Sequence, residues 1–207
     1  MVTNIVCLVL GYLLGSIPFA LVIGKVFYHT DVRKYGSGNL GGTNAGRVLG
    51  KKVGALVIVL DALKVVLAVG IAQLVSGSAI ATWTGLICVV GHCWPVFAHF
   101  KGGKGIASMA GILVSMDWRV TLVCAALFLG AVIITRYVSL GSILVVISFF
   151  IQMLIYGSRG DYRVSEGSLM EFFAISFILM AMAIWRHRAN IKRLLSGTEN
   201  KLWGGKK

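Results

Sequence analysis

Val53-Gly-Ala-Leu-Val-Ile-Val-Leu-Asp61-Ala-Leu-Lys64-Val-Val-Leu-Ala-Val-Gly-Ile-Ala-Gln-Leu-Val75 holds only three strongly polar side chains, Asp61, Lys64 and Gln73. A helix rises about 1.5 Å per residue and a bilayer's hydrocarbon core is about 30 Å thick, so about 20 such residues cross it. The stretch predicts a membrane-spanning helix. Asp61 and Lys64 stand three apart and share a face of it. A lone charge at that depth is costly and a paired one much less so, so the two are expected to form an ion pair facing the interior of a helix bundle, in a structural role.

Working outward, similar apolar runs occupy Asn4 to Ile23, Ala79 to Ala98, Trp118 to Thr135, Val138 to Tyr156 and Leu169 to Trp185. A seventh, Ile106 to Met116, is about half a span. Hydrophobic residues make up 57% of the 207 and charged residues 13%, too little charge for an ordinary soluble domain. The expected fold is an all-α integral membrane bundle of seven transmembrane helices, one of them a short half-span, with residues 1–207 forming a single domain. Pro18 should kink the first helix near its inner end, and Gly11, Gly15, Gly130 and Gly141 should let helices approach closely.

The net charge of +13 fixes the orientation. With the N-terminus outside, the inner segments 24–52, 99–105, 136–137 and 186–207 carry sixteen of the twenty Lys and Arg residues. Cytoplasmic loops are enriched in Lys and Arg, so the C-terminus belongs inside. The outer loop 157–168 sets Arg159 and Arg163 against Asp161 and Glu166 and is neutral. A nucleic-acid partner is set aside, because no polar domain exists on which to build a recognition surface. The first apolar run lacks a basic leader and a small-residue cleavage pattern, so it reads as a retained helix.

Three polar stretches lie on the inner face. The first is Asp31-Val-Arg-Lys-Tyr-Gly36-Ser-Gly-Asn-Leu-Gly41-Gly-Thr-Asn44, followed by Arg47. Gly36, Gly38, Gly41 and Gly42 allow a ligand to approach the backbone, and Ser37, Asn39, Thr43 and Asn44 add hydroxyls and amides. Arg33 and Arg47 offer planar forks suited to phosphate oxygens. The second stretch is Gly91-His-Cys-Trp-Pro95-Val-Phe-Ala-His-Phe100-Lys-Gly-Gly-Lys-Gly105. Its Lys101 and Lys104 flank Gly102 and Gly103 just ahead of the half-span helix, whose N-terminus favours an anion. The third is Arg136-Tyr-Val-Ser-Leu140, where Ser139 and Ser142 share a helix face. The first two stretches read as anion cradles, against the plainer readings of a flexible loop and a headgroup-binding cluster, whereas the third carries an anion-binding Arg but taken alone reads as an interfacial anchor. The basic tail His187-Arg-Ala-Asn190-Ile is expected to continue the last helix and lie on the surface, with Asn190, Arg193 and Glu199 able to reach back to the loops.

Several chemistries drop out. A nucleotide P-loop needs Gly-Lys followed by Ser or Thr, with another Gly five positions before the first; here Gly105 follows Lys104 and Ala98 stands upstream. Cys7, Cys88, Cys93 and Cys124 show no metal-ligand spacing, and Cys93 beside His92 reads as an apolar filler before a nucleophile. No metal or cofactor is expected.

Taken together, Gly15-Ser-Ile-Pro18, Asp31-Val-Arg33, Gly36-Ser-Gly-Asn39 with Gly41 and Thr43-Asn44, Asp61-x-x-Lys64, Gly91-His92 through Lys101-Gly-Gly-Lys-Gly105, Arg136-Tyr-x-Ser-Leu140 and His187-Arg-x-Asn-Ile191 form a series of spaced blocks. In this order they resemble the acyl-phosphate:glycerol-3-phosphate acyltransferases of bacterial membranes over nearly the whole chain. The departures are Gly42 where the family pattern has Ala and Ser108 where it has Thr. The resemblance implies transfer of an acyl group from acyl phosphate to the 1-hydroxyl of glycerol 3-phosphate, giving lysophosphatidic acid and phosphate. It implies seven helices, a bacterial inner membrane with the active site facing the cytoplasm, no acyl-CoA, no metal and no obligate protein partner.

Under that resemblance the catalytic candidates are Ser37, Arg47, His92, Lys104 and Asn190. The substrate-binding candidates are Gly36, Gly38, Asn39, Gly41, Gly42, Thr43, Asn44, Lys101, Gly102, Gly103, Arg136, Ser139, Ser142 and Glu199. Acyl phosphate is already activated, so positioning and charge stabilisation suffice without a covalent nucleophile. Either a substrate phosphate oxygen or His92 takes the hydroxyl proton. The His-x4-Asp pair of acyl-CoA enzymes is missing: Lys34, Phe97, Lys104 and Lys192 follow His29, His92, His99 and His187 at that spacing. The competing function is a transporter of phosphorylated solutes, which would need charge lining a path to the outer face.

Overall fold

The computed structural model describes residues 1–159 and 166–203 of the chain. Within them lie ten α-helices, two 3-10 turns and no strand. The helices form two compact units, Met1–Met116 and Asp117–Lys207. Of the neutral outer loop expected at 157–168, Asp161 and Arg163 lie outside the described residues, as do the closing Lys206 and Lys207.

The first unit contains α1 (Val2–Gly15), α2 (Phe19–Tyr28), α3 (Gly42–Leu49), α4 (Lys51–Ser76), α5 (Ser78–Cys93) and α6 (Ile106–Met116). The α4 helix runs through all 26 residues of the apolar stretch and its flanks, about 39 Å at ~1.5 Å per residue. The other long elements are shorter: α1 has 14 residues, α5 has 16 and α6 has 11. As α-helices they cover about 17–24 Å, short of the ~30 Å core, but α5 continues through a 3-10 turn to Ala98 as a 21-residue apolar stretch long enough to cross. The expected first span is broken at Ser16–Pro18, where α2 turns away by 44°. Proline lacks the N–H that would continue the helix.

Small residues set the packing of this unit. A Cβ on Gly15 would sit on the Cys88 carbonyl, one on Gly11 would strike Thr84, and one on Gly91 would strike the Tyr12 carbonyl. These three glycines let α1 and α5 lie backbone to backbone. Gly111 does the same for α6 against Ala62 of α4, and Gly46 faces Gly54 where α3 meets α4. Lipid offers no hydrophobic force between helices, so such close van der Waals contact holds them. One buried cluster of Ala20, Leu21, Val32, Leu40, Ala45, Val57 and Ala98 joins α2, α3 and α4 to both glycine-rich loops.

The second unit contains α7 (Trp118–Thr135), α8 (Val138–Ser158), α9 (Glu166–Arg186) and α10 (Arg188–Leu195). Asp117 caps α7 by accepting from the Arg119 N–H at 2.8 Å, and Arg119 is paired with the Asp117 carboxylate and stacked over Tyr156. Gly141 of α8 fits against Phe128 of α7, whereas Gly130 has open space beside it and takes no part in a close contact. The tail does not simply prolong α9, since the helix is interrupted at His187 before α10 starts.

Five helices are long and apolar enough to cross a membrane, and six if the bent α1–α2 pair is one span. Their outward faces are strongly apolar; Leu56, Val59, Leu63, Leu67 and Leu74 of α4 are all exposed, as lipid-facing residues are. The chain is an all-helical membrane protein.

Candidate active site

Three helix ends of the first unit converge on the middle of α4. Lys64 lies twelve residues from the end of α4, about 18 Å along it. Its ammonium donates to the Asp61 carboxylate at 2.7 Å, to the Ile17 carbonyl at the end of α1 at 3.0 Å, and contacts His92 Nδ1 near the end of α5 at 3.1 Å. The expected Asp61–Lys64 pair is present and fully buried, and His92 makes it a triad. Phe19 lies under the ammonium at 5.6 Å. Removing either ion would strand its partner's charge in the interior, at a cost of about 3–5 kcal/mol.

The breaks in α1 and α5 release backbone groups far from the helix ends of α4, and polar side chains satisfy them. Tyr12 donates its hydroxyl to the Trp94 carbonyl at 2.9 Å, and Ser16 accepts from the Val96 N–H at 3.4 Å. Non-helical backbone at membrane depth persists only with such partners. This accounts for the Gly15-Ser16-Ile17-Pro18 block: Gly15 sets the helix contact, Ser16 and Ile17 hold the second loop and Lys64, and Pro18 ends the span.

The second loop folds back over α5. The Gly103 N–H donates to the His92 carbonyl at 3.1 Å. A Cβ on Gly102 would strike that carbonyl, and a Cβ on Gly103 would fall on His92 Nε2. Only glycine fits at either position, so the imidazole edge lies directly against the Lys101–Gly105 loop. His99 and Phe100 take left-handed backbone, at φ 54° and 58°, to make the turn. Lys101 is exposed, Lys104 half-buried, and α6 starts one residue after Gly105.

Asn44 organises the first loop. Its buried amide donates to the Val32 carbonyl at 3.0 Å and to the Tyr35 carbonyl at 3.3 Å, and accepts from the Ser37 N–H at 2.8 Å. Asn39 accepts from the Gly41 N–H at 3.0 Å. Gly36 and Gly38 take positive φ, 60° and 69°, and leave Ser37 exposed at the tip. Part of the glycine-rich segment is helical: α3 opens at Gly42, and its first N–H groups, at Gly42 and Thr43, have no carbonyl one turn back to receive them. Arg47 is exposed on the same helix. Arg33, in contrast, is engaged with Asp31 through contacts at 2.6, 3.0 and 3.2 Å. The hydrogen bond from that guanidinium holds the Asp31 carboxyl down at about 2. The two forks read from the sequence therefore reduce to one, Arg47, that is available to a ligand.

In the second unit Arg136 ends α7 in left-handed conformation, φ 65°, and its carbonyl accepts from the Leu202 N–H at 2.8 Å. The tail is thereby tied to the third motif. Asn190 donates to Glu199 at 2.9 Å and Arg193 donates to the other carboxylate oxygen at 2.9 Å. These tail residues bond to one another. The Ser142 hydroxyl donates to the Val138 carbonyl at 2.8 Å, while the buried Ser139 hydroxyl has no protein partner among the described residues. Among those residues no three His, Cys, Asp or Glu side chains gather as a metal-ligand set.

The sequence left Tyr12, Ser16 and Ile17 without site roles, and did not join Lys64 to His92. The Gly-Ser-Ile-Pro block and the intramembrane charges were visible signals, but their meeting joins Lys64 to residues 28 and 47 positions away in the chain.

The glycerol-3-phosphate acyltransferase family model matches residues 5–197. Among curated relatives, glycerol-3-phosphate acyltransferase 2 of Bacillus anthracis is 42% identical over 96% of this chain and 99% of its own length. The glycerol-3-phosphate acyltransferase of Macrococcus caseolyticus is 41% identical over 94% of this chain and 95% of its own length. Two solved structures are also similar. The glycerol 3-phosphate form of PlsY, an integral membrane glycerol 3-phosphate acyltransferase, has a TM-score of 0.86 and 41% identity over 97% of this chain and 96% of its own. Its lysophosphatidic acid form has a TM-score of 0.83 and 40% identity over 96% and 94%.

Proposed function

The chain belongs to the glycerol-3-phosphate acyltransferase family, and from that premise we propose that it moves an acyl group from acyl phosphate to the 1-hydroxyl of glycerol 3-phosphate. The observation that carries the reading is the near-complete likeness to a protein solved in both a glycerol 3-phosphate form and a lysophosphatidic acid form, an acceptor and its acylated product. The hydroxyl oxygen attacks the acyl carbonyl, the bond from that carbonyl carbon to the phosphate oxygen breaks, and the hydroxyl proton ends on the departing phosphate. Lysophosphatidic acid and phosphate result. Family matches over nearly the whole length support assigning the activity to the entire chain rather than to either unit.

The residue roles follow from what each group has available. Arg47 and Lys104 bind phosphate oxygens. Ser37, Asn39, Thr43 and the N–H groups around Gly36, Gly38, Gly41 and Gly42 receive the acyl phosphate. Lys101, Gly102 and Gly103 carry the second anion-binding turn, with His92 beneath it. Asn44 acts through the loop it fastens. In the second unit Arg136, Ser139, Ser142 and Glu199 are assigned to substrate binding and Asn190 to catalysis; the buried Ser139 hydroxyl, without a protein partner among the described residues, supports the binding role most directly. The protein sits in the bacterial inner membrane, crosses it seven times with α6 as the half-span, starts outside and ends inside, and keeps its active site toward the cytoplasm. The loop charge supports that orientation.

Purified protein given palmitoyl phosphate and glycerol 3-phosphate without CoA should release one phosphate per lysophosphatidic acid formed. Palmitoyl-CoA should not replace the acyl phosphate. Lys104→Ala should lower kcat/KM by about 10²-fold, as removal of one preorganised charge does. A wild-type protein that forms no lysophosphatidic acid from acyl phosphate would end this reading.

A further inference from the structure

Resting on the acyl-transfer reading, we infer that Lys64 is a positioning residue that holds His92 in the tautomer protonated at Nε2, so that the imidazole meets substrate as a hydrogen-bond donor and not as a base. An ammonium has three N–H donors and no acceptor. Lys64 has three acceptors around it: Asp61 Oδ1 at 2.7 Å, the Ile17 carbonyl at 3.0 Å and His92 Nδ1 at 3.1 Å. The third contact is a hydrogen bond only if Nδ1 offers its lone pair. A neutral ring that accepts at Nδ1 carries its proton on Nε2.

Charge balance points the same way. Asp61 Oδ1 is also 3.3 Å from His92 Nδ1, and a doubly protonated ring would donate to it. That would bury two cations with one carboxylate, where Asp61, Lys64 and His92 are 0%, 3% and 6% exposed. The neutral ring leaves one cation and one anion, the arrangement a low-dielectric interior tolerates. Asp61 thus pairs with the ammonium, and Lys64 orients the ring.

The outward edge of the ring completes the device. Nε2 lies against Gly103, where any side chain would cover it, in the loop that also carries Lys101 and Lys104. An N–H there adds a donor to a cationic anion-binding turn. A bare nitrogen would bring a lone pair to a place meant for negative charge. The hydroxyl proton then leaves with the phosphate, and His92 is not needed to remove it.

The test is 15N NMR of full-length protein labelled in histidine and reconstituted in lipid nanodiscs, with His92 assigned from the signals lost in His92→Gln. The expected result is a proton on Nε2 and none on Nδ1, and exchange between tautomers once Lys64→Met removes the lock. Glutamine can place an amide N–H where Nε2 sits, and asparagine only near Nδ1, while neither amide is a base. His92→Asn should therefore lower kcat about 100-fold, the cost of one aimed donor, and His92→Gln should lose roughly a tenth as much. A proton on Nδ1, or equal losses in the two variants, overturns the proposal. Should Lys64→Met fail to fold, the wild-type spectrum and the Gln/Asn pair still decide. The spectrum needs no turnover, so wild-type protein inactive in acyl transfer would sink the functional reading and with it the donor role toward substrate, while the tautomer set by Lys64 would still be read from the spectrum.

Discussion

At the scale of single residues, the same polar side chain can hold the scaffold or the ligand, and hydrogen-bond counting separates the two. Asn44 has every amide group engaged with the backbone of its own loop at 2.8–3.3 Å. Asn44→Ala should strand the Val32 and Tyr35 carbonyls and the Ser37 N–H, at about 1–3 kcal/mol for buried groups left unsatisfied. Hydrogen exchange across residues 32–41 should accelerate and Tm should fall, with turnover lost through the disordered cradle. Unchanged exchange with lost turnover would mean instead that Asn44 touches substrate. The sequence showed that the loop was rich in small polar groups but not which were engaged: Asn39, Asn44, Ser37 and Thr43 look alike in a string of letters. Arg33 and Arg47 are another such pair, and only Asp31, two residues before Arg33, hinted at the difference.

Elements were more legible than residues, because helix length in lipid is a one-dimensional property. The boundaries of α6 and α7 coincide with the apolar runs Ile106 to Met116 and Trp118 to Thr135, and α4, α8 and α9 extend theirs by a few residues. Reading failed where three-dimensional partners decide. The α3 helix lies within a glycine-rich segment whose composition argues against a helix, and is held there by close contact with α4 at Gly46 and Gly54. The break after Gly15 was visible as Pro18, yet its purpose, giving the Ile17 carbonyl to Lys64, was not. The α1–α5 contact is the element on which that geometry leans. Gly15→Ala should cost about 1–3 kcal/mol by overpacking, because its Cβ meets the Cys88 carbonyl. Gly70→Ala, in open space on α4, is the control and should leave thermal stability in detergent unchanged or slightly raised. Gly15→Ala should also depress turnover by moving Ser16 and Ile17 away from the second loop and Lys64. Equal Tm values for the two variants would remove close packing as the reason for this glycine.

For the whole molecule the open physical question is how a helix of 11 residues could serve as the crossing proposed for it. Alone it reaches about 17 Å. In the first unit the loop before it is already deep, since Gly103 lies on His92 and His92 contacts Lys64, about 18 Å along α4 from its far end. A half-span that begins at that depth needs only the remaining distance to emerge on the other side. The depth of the second loop and the shortness of α6 are thus two views of one arrangement, and under the proposed topology α6 adds a seventh crossing to the six spans counted with the bent α1–α2 pair as one. Single-cysteine reporters can test it, because all four native cysteines are buried. Membrane-impermeant maleimide applied to intact spheroplasts should label Trp118→Cys, Ser78→Cys and Arg159→Cys at once. Lys34→Cys, Lys101→Cys and Lys192→Cys should react only after permeabilisation. The pair across α6 is decisive: if Lys101→Cys and Trp118→Cys react from the same side, α6 is re-entrant and does not cross. The inside–outside alternation would then shift by one for every helix after it, and the basic tail would face the outer surface, against the inside placement that the positive-inside rule favours for a Lys- and Arg-rich segment.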